Sequence, residues 1–165
     1  MHTQHFLTAL GRATISWNEK GLTRFTLTGE KSASRCDAAT ATQPPRIAAV
    51  IASAQDHLAG QPHDFSDVAL DWSQVTAFQK RVYLAAQEVK AGLTTSYGAL
   101  ARQLGLGAGG ARAVGAALGA NPWLLIVPCH RVIAADGQLT GFSAPGGIRT
   151  KARLLALEGA ELLAA

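Results

Sequence analysis

Leu124-Leu125-Ile126-Val127-Pro128-Cys129-His130-Arg131-Val132-Ile133 carries the decisive reading of this chain. Its first four residues are an unbroken apolar run, which predicts a buried segment. The run delivers a cysteine flanked by a proline and two basic residues. A lone cysteine in such a place is most often a small, inert core residue. Three features argue for chemistry at Cys129 instead. Pro128 fixes the backbone that enters it. His130 and Arg131 bring cationic character, which lowers a thiol pKa and favours the thiolate. Glu158, further along, can orient the histidine and complete the acid–base–nucleophile order that activates weak nucleophiles. Successive side chains on an extended chain point to opposite faces, so His130 reaches the Cys129 sulfur only through a tight turn or a bridging water. The expected device is a thiolate prepared through a relay rather than a directly paired, protease-like dyad.

Working outward, the flanking sequence reads as helices. Thr76 and Gln79 have the spacing of a capping box, followed by a stripe of Phe78, Val82, Ala85, Ala86 and Val89 that Gly92 ends. Ser96 can cap a short helix from Tyr97 to Leu104. Gly105 to Gly110 predicts a turn, and Ala111 to Ala120 a second helix, closed by Asn121-Pro122. Two short helices joined by a glycine-containing turn have the helix-turn-helix layout. Beyond the cysteine, Asp136-Gly137 marks a turn, and Ile148 to Leu157 a last helix with Gly159 past its end.

Before residue 73 the pattern changes. Ala13 to Trp17 and Leu22 to Leu27 alternate around Glu19-Lys20-Gly21, which predicts a β-hairpin. Lys31 to Pro45 has no period and reads as a loop. Ile47, Val50, Ile51, Ala54 and Leu58 share one helical face, and Phe65 to Leu70 reads as a further short strand. The fold class expected is α+β. An N-terminal α/β domain with a short antiparallel sheet (1–72) precedes a mostly helical C-terminal domain (73–165) that carries the helix-turn-helix and the active-site cysteine.

Charge is divided unevenly. Residues 1–71 hold six Lys/Arg against seven Asp/Glu, and residues 72–165 hold nine against four. The second half is the side suited to an anionic partner such as nucleic acid. At 48% hydrophobic and 16% charged, the composition is globular, which excludes a disordered chain. No run is long enough to span a bilayer, and the N-terminus has no secretory pattern. Two cysteines are too few for a disulfide framework, which points to the reducing cytoplasm.

Ile126 to Ile133 resembles the active-site motif of the O6-alkylguanine-DNA alkyltransferases, the methylated-DNA–protein-cysteine methyltransferases. Tyr97-Gly98, Ala111-Arg112-Ala113-Val114-Gly115, Asn121-Pro122 and Leu154-Leu155-Ala156-Leu157-Glu158-Gly159 follow the family's order and near spacing, so the likeness spans roughly residues 76–160. Before residue 70 it is loose, limited to strand-rich character and Gly21-Leu22.

The resemblance implies stoichiometric, irreversible transfer of an alkyl group, typically methyl, from O6 of guanine, and from O4 of thymine, to Cys129 after base flipping. His130 would deprotonate Cys129 through a water, Glu158 would hold His130, and Asn121 would brace the turn. Tyr97 would crowd the target phosphate and donate to guanine N3. Arg112 would fill the vacated stack, and Gln79 and Lys80 would contact phosphates, Gly98 and Ala135 would also contact DNA, and the helix-turn-helix would work from the minor groove. Backbone groups of Cys129, Val132 and Ser143, with Phe142 beside them, would border and read the flipped base. The partner implied is double-stranded DNA bearing O6-alkylguanine, engaged by a monomer that needs no cofactor, because the damaged base is the alkyl donor. No structural metal is expected, since His2, His5, Cys36, His57 and His63 show no ligand spacing. Cys36, in a polar loop, is read as incidental.

Phe142 stands where the family more often has tyrosine, and Ser143 to Gly147 is about two residues longer than its pattern. Three rivals stay open on the residues alone: a lesion-binding module without chemistry, a transcriptional regulator and a cysteine hydrolase. Cys129 argues against the first. The second helix has only Arg112 as a long polar side chain, too few for base-specific readout. Consecutive Cys129-His130 is poor geometry for the third.

Overall fold

The computed structural model describes residues 1–29, 43–142 and 144–160. Three strands, β1 (His2–Thr8), β2 (Gly11–Trp17) and β3 (Leu22–Gly29), form an antiparallel sheet in the order β1-β2-β3. The β2–β3 hairpin is the one the alternation predicts. β1 is an addition, paired from His2 opposite Trp17 to Thr8 opposite Gly11. Its sequence hides it, because Gln4 is buried along with Phe6 while Leu7 is exposed, so the polarity pattern and the burial pattern disagree.

Helix α1 (Pro45–Leu58) begins with proline in its first turn, where the missing N–H costs nothing. Its buried face is Ile47, Val50, Ile51, Ala54, His57 and Leu58. Phe65 to Leu70 is not a strand. Asp64 Oδ1 accepts from the Ser66 N–H at 2.9 Å and the Val68 N–H reaches Phe65 O at 3.1 Å, so turn chemistry overrides the apolar residues. Only the end of the segment touches the sheet: Leu22 N–H donates to Ala69 O at 2.9 Å, and Asp71 N–H to Leu22 O at 2.9 Å. Gly21 permits that approach, since a Cβ there would lie 2.6 Å from Ala69 O at φ +149°.

Helix α2 (Ala77–Gln87) starts from the expected capping box, Thr76 with Gln79. The two-residue strand β4 (Thr95–Ser96) leads into α3 (Tyr97–Gln103), which the Ser96 hydroxyl caps at the Ala99 N–H. Helix α4 (Gly110–Gly119) follows the glycine-rich turn and packs on α3, completing the helix-turn-helix layout. A 3-10 turn at Cys129–Arg131 runs into β5 (Val132–Ile133), which pairs in parallel with β4 through Thr95–Val132 and Ser96–Ile133. Helix α5 (Ile148–Leu157) closes the described chain.

The architecture is α+β. One continuous core draws on the sheet, on α1 and on the later helices. Trp123 sits in it fully buried, with Trp72 and Tyr83 edge-on at 5.2 and 6.0 Å. Its indole N–H donates to Leu22 O at 2.8 Å. Phe25 N–H donates to Pro122 O at 2.9 Å and Leu124 N–H to Phe25 O at 3.0 Å, so β3 fixes the segment that enters the cysteine loop. Each large apolar side chain buried here contributes about 1.5–3 kcal/mol.

Candidate active site

The cysteine loop is a chain of tight turns. Val127 N–H donates to Trp123 O at 2.9 Å, and Ile126 N–H donates across one residue to Leu124 O, also at 2.9 Å. Leu125, between them, has φ 72°, a left-handed value found at no other described non-glycine residue. Cys129 N–H donates to Val127 O at 2.8 Å, and Pro128 between them has φ −81° and ψ 65°, an inverse γ-turn. Proline supplies that φ without cost. Asn121 ties the turns together: its side-chain amide donates to Val127 O at 3.0 Å, and its oxygen accepts from Trp123 N–H at 2.9 Å. The turn therefore replaces the regular strand in which Cys129 and His130 would face apart.

Glu158, at the C-terminal end of α5, is where this loop meets the rest of the molecule. Its Oε1 accepts from His130 Nε2 at 2.8 Å and from Arg131 Nε at 3.0 Å. Its Oε2 accepts from an Arg131 terminal nitrogen at 2.5 Å and from His57 Nε2 at 2.7 Å. Arg131 also donates to Val89 O at 2.6 Å. Burial opposes the Glu158 charge, but hydrogen bonds from His130, His57 and Arg131 outweigh it and hold its pKa far below the usual carboxylate range. An ionised carboxylate only accepts, so Nε2 of His130 carries the hydrogen. Nδ1 of His130 is buried with no hydrogen-bond partner among the described residues. Burial lowers the His130 pKa, against the pull of Glu158. The result is a neutral imidazole with a lone pair on Nδ1.

Cys129 is a free thiol, 7% exposed. The cationic neighbours expected to depress its pKa do not do so. Burial dominates and pushes the thiol up, while Asn121 and the Lys151 charge pull it down. Arg131 is spent on Glu158 and Val89, and His130 is neutral. The thiol therefore needs a base to ionise it.

Lys151 escaped the reading of the sequence. It is 1% exposed on α5. Its ammonium donates to Val132 O at 2.7 Å, Thr140 O at 3.1 Å and the Tyr97 hydroxyl at 3.4 Å, and lies 5.6 Å from the Tyr97 ring centroid. His57 was missed as well. Both have a signal in hindsight. Lys151, Leu154, Leu155 and Glu158 share one face of α5, and His57 falls three residues after Ala54 on the buried stripe of α1.

Of the residues expected to face DNA, Tyr97 and Arg112 share a cleft. Tyr97, Arg112, Gly115, Thr140 and Phe142 line an open cleft of about 640 Å³, and Cys129 is not among its lining residues. Arg112 is exposed in the first turn of α4, and Gly98 is half-buried at the start of α3. Ala135 is exposed beside the Asp136-Gly137 turn. Lys80 is exposed on α2 with its ammonium 5.2 Å from the Trp72 ring centroid, while Gln79 Oε1 is committed to the Thr76 N–H at 2.9 Å. The Val132 carbonyl is engaged by Lys151. Ser143 and Cys36 lie outside the described residues.

Known proteins resemble this chain in sequence and fold. The profile of the 6-O-methylguanine DNA methyltransferase, DNA binding domain, matches residues 77–160. A DNA base-flipping protein of Thermus thermophilus is 48% identical over 106 residues, which span 64% of this chain and 69% of that protein. A methylated-DNA–protein-cysteine methyltransferase of Mycolicibacterium paratuberculosis is 46% identical over 118 residues, 71% of this chain and 68% of that protein. The crystal structure of Mycobacterium tuberculosis OGT in complex with DNA superposes with a TM-score of 0.79 at 36% identity, covering 96% of this chain and 93% of that one. Fold and site thus define an α+β protein whose C-terminal half is a DNA-binding domain built around a buried cysteine. The chain belongs to the 6-O-methylguanine DNA methyltransferase family.

Proposed function

We propose that this protein repairs alkylated double-stranded DNA by moving an alkyl group, typically methyl, from O6 of guanine to Sγ of Cys129, with O4 of thymine as a second target. The observation that carries the reading is the buried pairing of His130 Nε2 with Glu158, 2.8 Å long, next to a buried thiol. That pairing leaves Nδ1 of His130 as a base, which takes the thiol proton through a water. The thiolate attacks the alkyl carbon in line as the carbon–O6 bond breaks, forming a thioether. The departing guanine carries the electron pair, and the Tyr97 hydroxyl donates to N3 to neutralise it, an interaction strongest in the transition state. The thioether is not hydrolysed, so each molecule acts once, without a cofactor.

O6 inside a stacked duplex is out of reach, so the nucleotide must be flipped. Arg112 fills the gap from the minor groove, a role supported by its exposure on α4 and its share in the cleft with Tyr97. Gln79, Lys80, Gly98 and Ala135 serve as backbone contacts. Phe142, Ser143 and backbone groups of Val132 border the flipped base. Residues 1–72 act as a supporting domain and 73–165 as the DNA-binding one. Action as a monomer in the cytoplasm belongs to the same proposal; among the described residues, no helix is long and apolar enough to cross a membrane.

The likeness to a base-flipping protein favours a second reading, a lesion sensor without transfer. Intact-protein mass separates the two. After incubation with a duplex containing O6-methylguanine, transfer adds one methylene mass on Cys129, and Cys129→Ser gains nothing. Tight lesion binding with no gain in the native chain would establish the sensor.

A further inference from the structure

We propose that His57 is a positioning residue for alkyl transfer: from the last turn of α1, it locks the Glu158 carboxylate in the orientation that serves His130. This rests on the reading of Cys129, His130 and Glu158 as the transfer centre.

His57 is 1% exposed and reaches Glu158 from a segment 101 residues earlier in the chain. Both its ring nitrogens are engaged. The His63 N–H donates to Nδ1 at 2.9 Å, so Nδ1 holds a lone pair. The hydrogen of the neutral ring is then on Nε2, which donates to Glu158 Oε2 at 2.7 Å. Phe65 tilts against the ring at 5.5 Å between centroids and holds its plane. Tautomer, direction and tilt are all set before any DNA arrives.

The two Glu158 oxygens are divided. Oε1 serves His130, and Oε2 is drawn away by His57 and Arg131. The Arg131 fork sets the carboxylate plane, with Nε on Oε1 and a terminal nitrogen on Oε2, and its Nε shares Oε1 with His130. His57 bonds Oε2 alone, so it braces the carboxylate on the side away from His130 and keeps Oε1 in line with His130 Nε2. Without it Oε2 keeps a single partner, the carboxylate can tilt within the Arg131 fork, and its hold on the His130 tautomer loosens. Partners that orient a working imidazole are worth about 10- to 100-fold in metal sites, and a loss of that order is expected here.

The test uses two amides in the whole chain. His57→Asn can still accept from the His63 N–H but is too short to reach Oε2. His57→Gln places an amide N–H where Nε2 lies. The single-turnover methylation rate is measured on saturating duplex containing O6-methylguanine, alongside lesion Kd and Tm. The expected result is a rate lowered about 10- to 100-fold in His57→Asn with Kd unchanged, and recovery to within a few-fold of the native rate in His57→Gln. A native rate in His57→Asn would overturn the proposal. So would equal slowing of both variants in step with a fallen Tm, which marks simple packing. A native chain that binds the lesion yet never gains mass would instead remove the transfer reading itself, and this inference with it.

Discussion

Glu158→Gln keeps the shape of the side chain and removes the charge on which Arg131, His57 and His130 converge. Arg131, 6% exposed, would then hold a buried charge without its counter-ion. Breaking such a pair from one side costs about 3–5 kcal/mol, which urea unfolding at neutral pH should register. Acid should act on the same cluster in two stages. His130 has its folded pKa pushed below 6.5, so the unfolded chain binds the proton first, and stability falls as pH drops through 6.5. The Glu158 pKa is held below 4.5, so its contribution is complete above 4.5 and is lost on further acidification. Urea midpoints at pH 7 and pH 5 should therefore fall more in the native chain than in His130→Asn; equal slopes would contradict a buried neutral His130. Cys129, His130 and Glu158 could be picked out in the sequence because each sits in a distinctive local context. His57 and Lys151 could not, because their meaning comes from partners distant in the chain, and a polar residue on an apolar stripe resembles an ordinary interruption. The sign of the thiol shift was likewise illegible, since burial and the diversion of Arg131 to Glu158 exist only in three dimensions.

Among the elements, the helix-turn-helix depends on a close approach. A Cβ on Gly110 would lie 2.7 Å from the Leu106 Cβ and 3.1 Å from the Ala101 Cβ. Gly110→Ala must therefore shift the start of α4 away from Leu106 in the turn and from Ala101 on α3, at about 1–3 kcal/mol. Because Arg112 is two residues further on, lesion affinity should fall with Tm, and a gel-shift titration checks it. Helices were legible where side chains cap their own backbone, as at Thr76 with Gln79 and at Ser96. Strands were less so. β1 is specified by its pairing with β2 rather than by alternation, and the strand expected at Phe65 to Leu70 gave way to an aspartate-initiated turn. The two-residue ladder of β4 and β5 has no sequence signal, yet it sets the start of α3 beside the cysteine turn.

Across the molecule, charge divides along the chain, with nine Lys/Arg against four Asp/Glu from residue 72 onward. If the helical half grips phosphates, binding weakens steeply with salt. Lys80→Ala should shallow the plot of log K against log salt by about 0.9, the value of one lost phosphate contact on duplex DNA. An unchanged slope would remove Lys80 from the interface. Lys151 has a different consequence at this scale. Its ammonium pins Thr140 and Val132 to α5, and α5 also carries Glu158. Thr140, just before Gly141, and Gly147, at the head of α5, are thus fastened to one helix, while Gly141 and Phe142 form part of the cleft wall. Insertions or deletions there would reshape what enters without displacing the groups that react. Descendants of this chain can revise their diet of lesions and inherit the chemistry untouched.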